Sequence, residues 1–81
     1  MTDKKEMKEF MIDGLKYARE QAEVYLNETR NEILNGNISR HYLERLLEEL
    51  IRYERDIAMI DMALAHRDKL KYAYYAIFYE D

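Results

Sequence analysis

Two histidines and one isolated aspartate are the residues from which any chemistry would have to be built. His41 and Glu44 stand three apart, which on a helix puts them on one face, the spacing for a shared metal ion. The next residue on that face is Arg45, whose charge repels a cation, and one imidazole with one carboxylate does not complete a site. His66 has only Ala63 three positions upstream, so the Glu-x-x-His spacing of di-iron bundles occurs nowhere. There is no cysteine, which removes thiolate catalysis, disulfides and cysteine-ligated zinc together. No glycine-rich phosphate loop and no serine–histidine–aspartate arrangement is present. The expectation is a protein that is not an enzyme and carries no metal or cofactor.

Asp61 interrupts the run Ile57-Ala58-Met59-Ile60-Asp61-Met62-Ala63-Leu64-Ala65, which is otherwise apolar on all sides of a helix. A buried acid there needs a partner, with Arg67 or a tyrosine hydroxyl as candidates, or it keeps its proton and becomes available as a general acid. The structural reading has more behind it: an acid at the edge of a seam, reaching water or setting register in an assembly.

A second chemical possibility lies in Lys69-Leu70-Lys71-Tyr72-Ala73-Tyr74-Tyr75-Ala76-Ile77-Phe78-Tyr79. Cations interleaved with aromatic rings can pair phosphate attraction with base stacking. The net charge of −4 and the lack of a basic face along either helix argue against direct nucleic-acid binding. The same residues read as an aromatic docking patch, since tyrosine offers stiff contact area with a polar tip. Met59, Met62, Tyr72, Tyr74, Tyr75, Phe78 and Tyr79 are therefore the expected partner or oligomer contacts.

The elements that position these residues follow from punctuation and periodicity. The absence of proline, with only two glycines, implies few breaks, and the one strong break is Asn35-Gly36-Asn37-Ile38-Ser39. Gly36 is expected in the left-handed conformation that ends a helix, Ser39 as the cap of the next helix, and Ile38 with Leu43 as a hydrophobic staple. Asp3 with Glu6 resembles a capping box at the start. The result is an all-α chain, a single domain over 1–81: an antiparallel hairpin of helices at about 4–34 and 40–66.

In the second helix Leu43, Leu46, Leu50, Tyr53, Ile57, Ile60 and Leu64 step by three and four, a seam that Leu47 widens. In the first, Met11, Leu15, Ala18, Ala22, Tyr25, Thr29 and Ile33 keep nearly the same spacing, with Ile12 and Leu26 alongside. Gly14 inside this helix marks a close crossing or a slight bend. Residues 68–79 either continue the second helix or form a third, with a kink near His66-Arg67-Asp68 and Asp68 as its cap. The kinked form is preferred because it covers the apolar half of the second helix. On the outer faces Lys16 with Glu20, Arg19 with Glu23, Arg40 with Glu44, Arg45 with Glu49, Glu48 with Arg52 and Arg52 with Asp56 stand four apart, the spacing of helix ion pairs.

No apolar run reaches the roughly 18 residues of a membrane span, and the first residues lead into no signal region, so a soluble cytoplasmic protein is expected. At 81 residues a two-helix seam stabilises poorly by itself, and dimerisation into a helical bundle doubles the covered faces. The functional expectation is a small regulatory or interaction protein that self-associates and binds a protein through its apolar–aromatic surface. In size and composition the chain also resembles small accessory proteins of phages and mobile elements, including inhibitors of host defence or replication proteins. The acidic balance permits the alternative of an acidic inhibitor that contacts a nucleic-acid-processing or defence protein through Glu44, Glu48, Glu49 and Asp56.

Overall fold

The computed structural model of the chain describes residues 4–79, so Asp3 of the expected capping box lies outside the described residues. These residues form α1 (Lys4–Asn35), α2 (Arg40–Ala65), a 3-10 turn (Arg67–Lys69) and α3 (Leu70–Phe78), with no strand among them. α1 and α2 form the antiparallel hairpin, and α3 folds back to pack on both. Among the described residues no helix is long and apolar enough to cross a membrane.

The hairpin turn is built largely as its sequence implies. Ser39 is extended (φ −64°, ψ 154°), and its hydroxyl oxygen accepts the Tyr42 amide at 3.2 Å. Gly36 differs from expectation: no described glycine has a positive φ. Its role is room, since a Cβ there would stand 2.9 Å from the Glu32 carbonyl oxygen and 2.9 Å from a methyl group of Ile38. Across the turn the Tyr42 hydroxyl donates to the Glu32 carboxylate, a contact between the last turn of one helix and the first turn of the next.

Leu15, Ile60, Ala63, Leu70 and Ala73 form the central buried cluster, ringed by Ile12, Ala18, Met59, Leu64, Tyr74 and Ile77. Further along the seam Ala22, Leu26, Thr29 and Leu46 are buried. In α1 the buried position is therefore Leu26, while Tyr25 sits at the edge and stacks on Tyr53 of α2 at 5.9 Å. Leu47, expected to widen the α2 stripe, faces outward instead.

α2 stops at His66 (φ −121°, ψ 89°), whose amide donates to the Met62 carbonyl at 2.8 Å. Asp68 is not the cap of the third helix: it lies within the 3-10 turn, and no side chain caps α3. Burial holds α3 in place, with Leu70 and Ala73 only 3% and 1% exposed. Covering a leucine side chain contributes on the order of 1.5–3 kcal/mol, which makes Leu70 the principal anchor. α3 covers the Ala63 side of the apolar run in α2 but leaves Met62 at 61% exposure.

The two flanks of the hairpin seam differ. Arg19 and Arg30, three turns apart on α1, reach Asp61 at 2.6 Å and Glu54 at 3.3 Å on α2. Helical periodicity places Gly14 on the other flank from Arg19, and Gly14 is where α3 meets α1. A Cβ on Gly14 would stand 3.0 Å from the Tyr74 ring and 3.6 Å from the Phe78 ring. The close crossing expected at Gly14 exists, and the element that crosses there is α3.

The molecule measures 55 × 20 × 19 Å, and its radius of gyration of 15.5 Å exceeds the roughly 12 Å of a compact chain of this length. Its accessible surface is 6602 Å², where a compact monomer of 9.9 kDa exposes roughly 5,200 Å².

Candidate interaction surface

α3 and the start of α1 together build an aromatic end. Tyr74 is its centre, with ring centroids 4.7 Å from Phe78, 6.0 Å from Phe10, 6.2 Å from Tyr75 and 6.2 Å from Tyr79. Tyr75 and Tyr79 are 5.2 Å apart, one helical turn along α3. Tyr74 is half-buried and serves packing, while Tyr75, Phe78 and Tyr79 stay exposed on its outer side. Phe10 joins this cluster from α1; its distance in sequence hid it, and only its position one turn before Gly14 pointed to it.

Met59, Met62 and Tyr72 stand apart from that cluster. With Ala63, Asp68, Lys69 and Ala73 they line an open groove of about 360 Å³ between α2 and α3. Tyr72 is 74% exposed at its rim, and Met59 is half-buried against the core. The seven contact residues read from the sequence thus fall into two neighbouring areas, a flexible methionine-lined groove and a stiffer aromatic knob. Thioether side chains adapt to irregular partners, and tyrosine rings supply contact area at small entropic cost.

A third area was not visible in the sequence. Lys4 and Lys8 of α1 come beside Arg67 and Lys71, and with Met7, Met11, Asp68 and Leu70 they surround a shallow hollow of about 350 Å³. Arg67 and Lys71 therefore meet the cations of the first helical turns, while Lys69 lines the groove between α2 and α3.

Asp61 has neither of its expected partners. It is gripped by Arg19, whose Nε donates to one carboxylate oxygen at 2.6 Å and whose Nη2 donates to the other at 3.3 Å. The hydrogen bond and charge of Asp61 hold the Arg19 guanidinium above its ordinary value. Arg19 also contacts Glu23 at 3.0 Å, so it links one turn of α1 to α2. Asp61 is thus half-exposed rather than buried, and this pair joins α1 to α2 at the seam's edge.

The carboxylates of the alternative reading lie along α2 among arginines. Glu44 pairs with Arg40 at 3.4 Å and Glu49 with Arg45 at 3.9 Å, and Glu48 lies beside Arg45 and Arg52. Among the described residues the other i, i+4 combinations, Lys16 with Glu20 and Arg52 with either Glu48 or Asp56, do not close into ion pairs. Asp56 is half-buried, and its carboxyl is raised above the usual range by burial, with Arg52 and Arg55 opposing. The result is a mixed-sign surface.

His41 and His66 are exposed at opposite ends of α2, a helix about 39 Å long, and cannot converge. Among the described residues no group of three or more histidine, cysteine, aspartate or glutamate side chains is placed to hold a metal ion. Comparison with protein family models, curated proteins and solved structures gives no match to this chain.

Proposed function

We propose that this chain is a non-enzymatic, cytoplasmic interaction protein that self-associates and engages a protein partner through the aromatic and methionine-lined surface of α3 and the end of α2. The observation that carries the reading is surface left uncovered. The chain exposes 6602 Å², about 1,400 Å² more than a compact monomer of its mass. A standard protein interface removes about 800 Å² from each partner, so one or two such contacts account for the excess. Tyr72, Tyr75, Phe78, Tyr79 and Met62 are exposed on this surface, Tyr75 and Tyr79 in ring contact and Met62 and Tyr72 on one groove.

Light scattering over a concentration series tests the first half, with growth from monomer to dimer or beyond as the expected result. A compact monomer at every concentration overturns it. For the second half, a partner captured from the native host should remain bound in about 0.5 M salt, where the screening length falls to roughly 4 Å. Release at that salt, together with insensitivity to a Tyr72→Ser/Tyr75→Ser/Tyr79→Ser variant, favours the carboxylate-mediated inhibitor instead.

A further inference from the structure

The break at His66 has no local cause. From Leu64 to Tyr79 the sequence holds no glycine and no proline. No described residue has a positive φ, and neither the 3-10 turn nor α3 has a side-chain cap. The features that ordinarily end or kink a helix are therefore missing. A segment of this composition continues as helix unless contacts elsewhere outweigh that tendency. Here those contacts are Leu70 and Ala73, clustered with Leu15, Ile60 and Ala63.

The phase of the apolar residues is a second, independent observation. Met59, Ala63, Leu70, Ala73 and Ile77 advance by four, seven, three and four, with the exposed His66 at the seam position between Ala63 and Leu70. That is the spacing of a coiled-coil seam, and it runs through the break without a slip. With the helix broken, Met59 and Ala63 pack with Leu70, Ala73 and Ile77 of the same chain. With the helix continuous, the same residues form one stripe on one face, and an identical stripe on a second chain fits it in antiparallel order. The surface of α1 and α2 that receives α3 is then filled by the α3 of the second copy.

We propose that two copies of this chain exchange α3. Residues 66–69 become helical, α2 and α3 join into one helix over 40–78, and each α3 docks on the α1–α2 hairpin of the other copy. This inference rests on the self-association reading above; the exchange re-uses the contacts of α3 and leaves Met62, Tyr72, Tyr75 and Tyr79 for a protein partner. Every apolar contact of the folded-back chain is kept in the exchanged dimer, and backbone hydrogen bonds are added at the former break. Association costs translational and rotational freedom, which makes the balance depend on concentration.

Arg67→Pro separates the two forms. His66 (φ −121°, ψ 89°) is already outside the helical region that a following proline disfavours, and Arg67 opens the 3-10 turn, where a missing amide is tolerated. The substitution therefore suits the folded-back chain and forbids the straight helix. Sedimentation equilibrium should show a wild-type dimer, dissociation at least tenfold weaker in protein concentration for His66→Ala/Asp68→Ala, and at least tenfold easier for Arg67→Pro. Because the chain has no cysteine, spin labels at Glu48→Cys and Tyr79→Cys, diluted with excess unlabelled protein, report one intramolecular distance. In the straight helix it is about 46 Å, and in the folded-back chain it is much shorter.

Far-ultraviolet circular dichroism establishes that Arg67→Pro is folded; should it not be, the distance in the double-alanine variant decides. A long distance in the dimer supports exchange. A dimer with only the short distance, or an Arg67→Pro chain that dimerises like wild type, overturns exchange and leaves surface-mediated self-association standing. A wild-type chain that is monomeric throughout overturns both.

Discussion

Asp56 and Asp61 are carboxylates five positions apart on α2, and the fold treats them in opposite ways. Asp61 keeps about half of its side chain in water and is held by two nitrogens of Arg19, a contact that ties α1 to α2. Asp56 has no such grip, and burial lifts its carboxyl above the usual range. The folded chain thus retains this proton at a pH where the unfolded chain has already released it. The Asp56 charge costs stability above the raised value, and the cost fades as pH falls through it. Asp56→Asn should therefore raise the thermal midpoint at pH 7, with the gain vanishing below about pH 4, where the unfolded carboxyl is also protonated. Thermal melts of both proteins across that range check this. A gain that is the same at both ends of the range would assign the effect to something other than the charge. Asp61 was conspicuous in the sequence as the one polar residue in an apolar run. Its partner was not legible, because Arg19 lies 42 positions upstream and periodicity gives a residue's face but not the register between helices.

At the level of elements, α3 is the piece whose presence the rest of the chain demands. The turn at 35–39, the Ser39 cap and the seam of α2 were legible because caps and three–four spacing are local signals. The need for a cover over Ala63 was legible too, since a helix apolar all round must be buried all round. The way α3 lies was not: four tyrosines in one short segment look alike until packing selects Tyr74 to turn inward and leaves Tyr72 out. Gly14 carried a partial signal. A glycine costs roughly 1 kcal/mol inside a helix, so its presence in α1 hinted at a close neighbour without naming Tyr74. Leu70→Ala should lower unfolding free energy by about 2–5 kcal/mol, the range for truncating a buried leucine. Tyr72→Ala should change it by no more than about 0.5 kcal/mol, as expected of a surface residue. Urea denaturation followed by circular dichroism measures both. Equal losses would mean that α3 is not anchored through Leu70.

For the whole molecule, length without thickness is the governing fact. A body of 55 × 20 × 19 Å has its triple layer at one end, where α3 lies, and is only two helices thick toward the 35–39 turn. Its net charge of −4 also conceals a cationic end, where Lys4, Lys8, Arg67 and Lys71 gather. If association supplies the missing cover, the thermal midpoint should rise with the logarithm of protein concentration, because a species that binds only the folded chain stabilises it by mass action. Calorimetry over a hundredfold concentration range checks this, and a constant midpoint would show that the monomer stands alone. The hairpin and its late cover also impose an order in time. α1 and α2 are joined by a short turn, and helical folds are the class that forms in microseconds to milliseconds. α3 is made after both of the surfaces that receive it, at about 5–20 residues per second. α3 follows both of those surfaces in the chain, so they stay uncovered until α3 itself is released, whether from the same chain or from another.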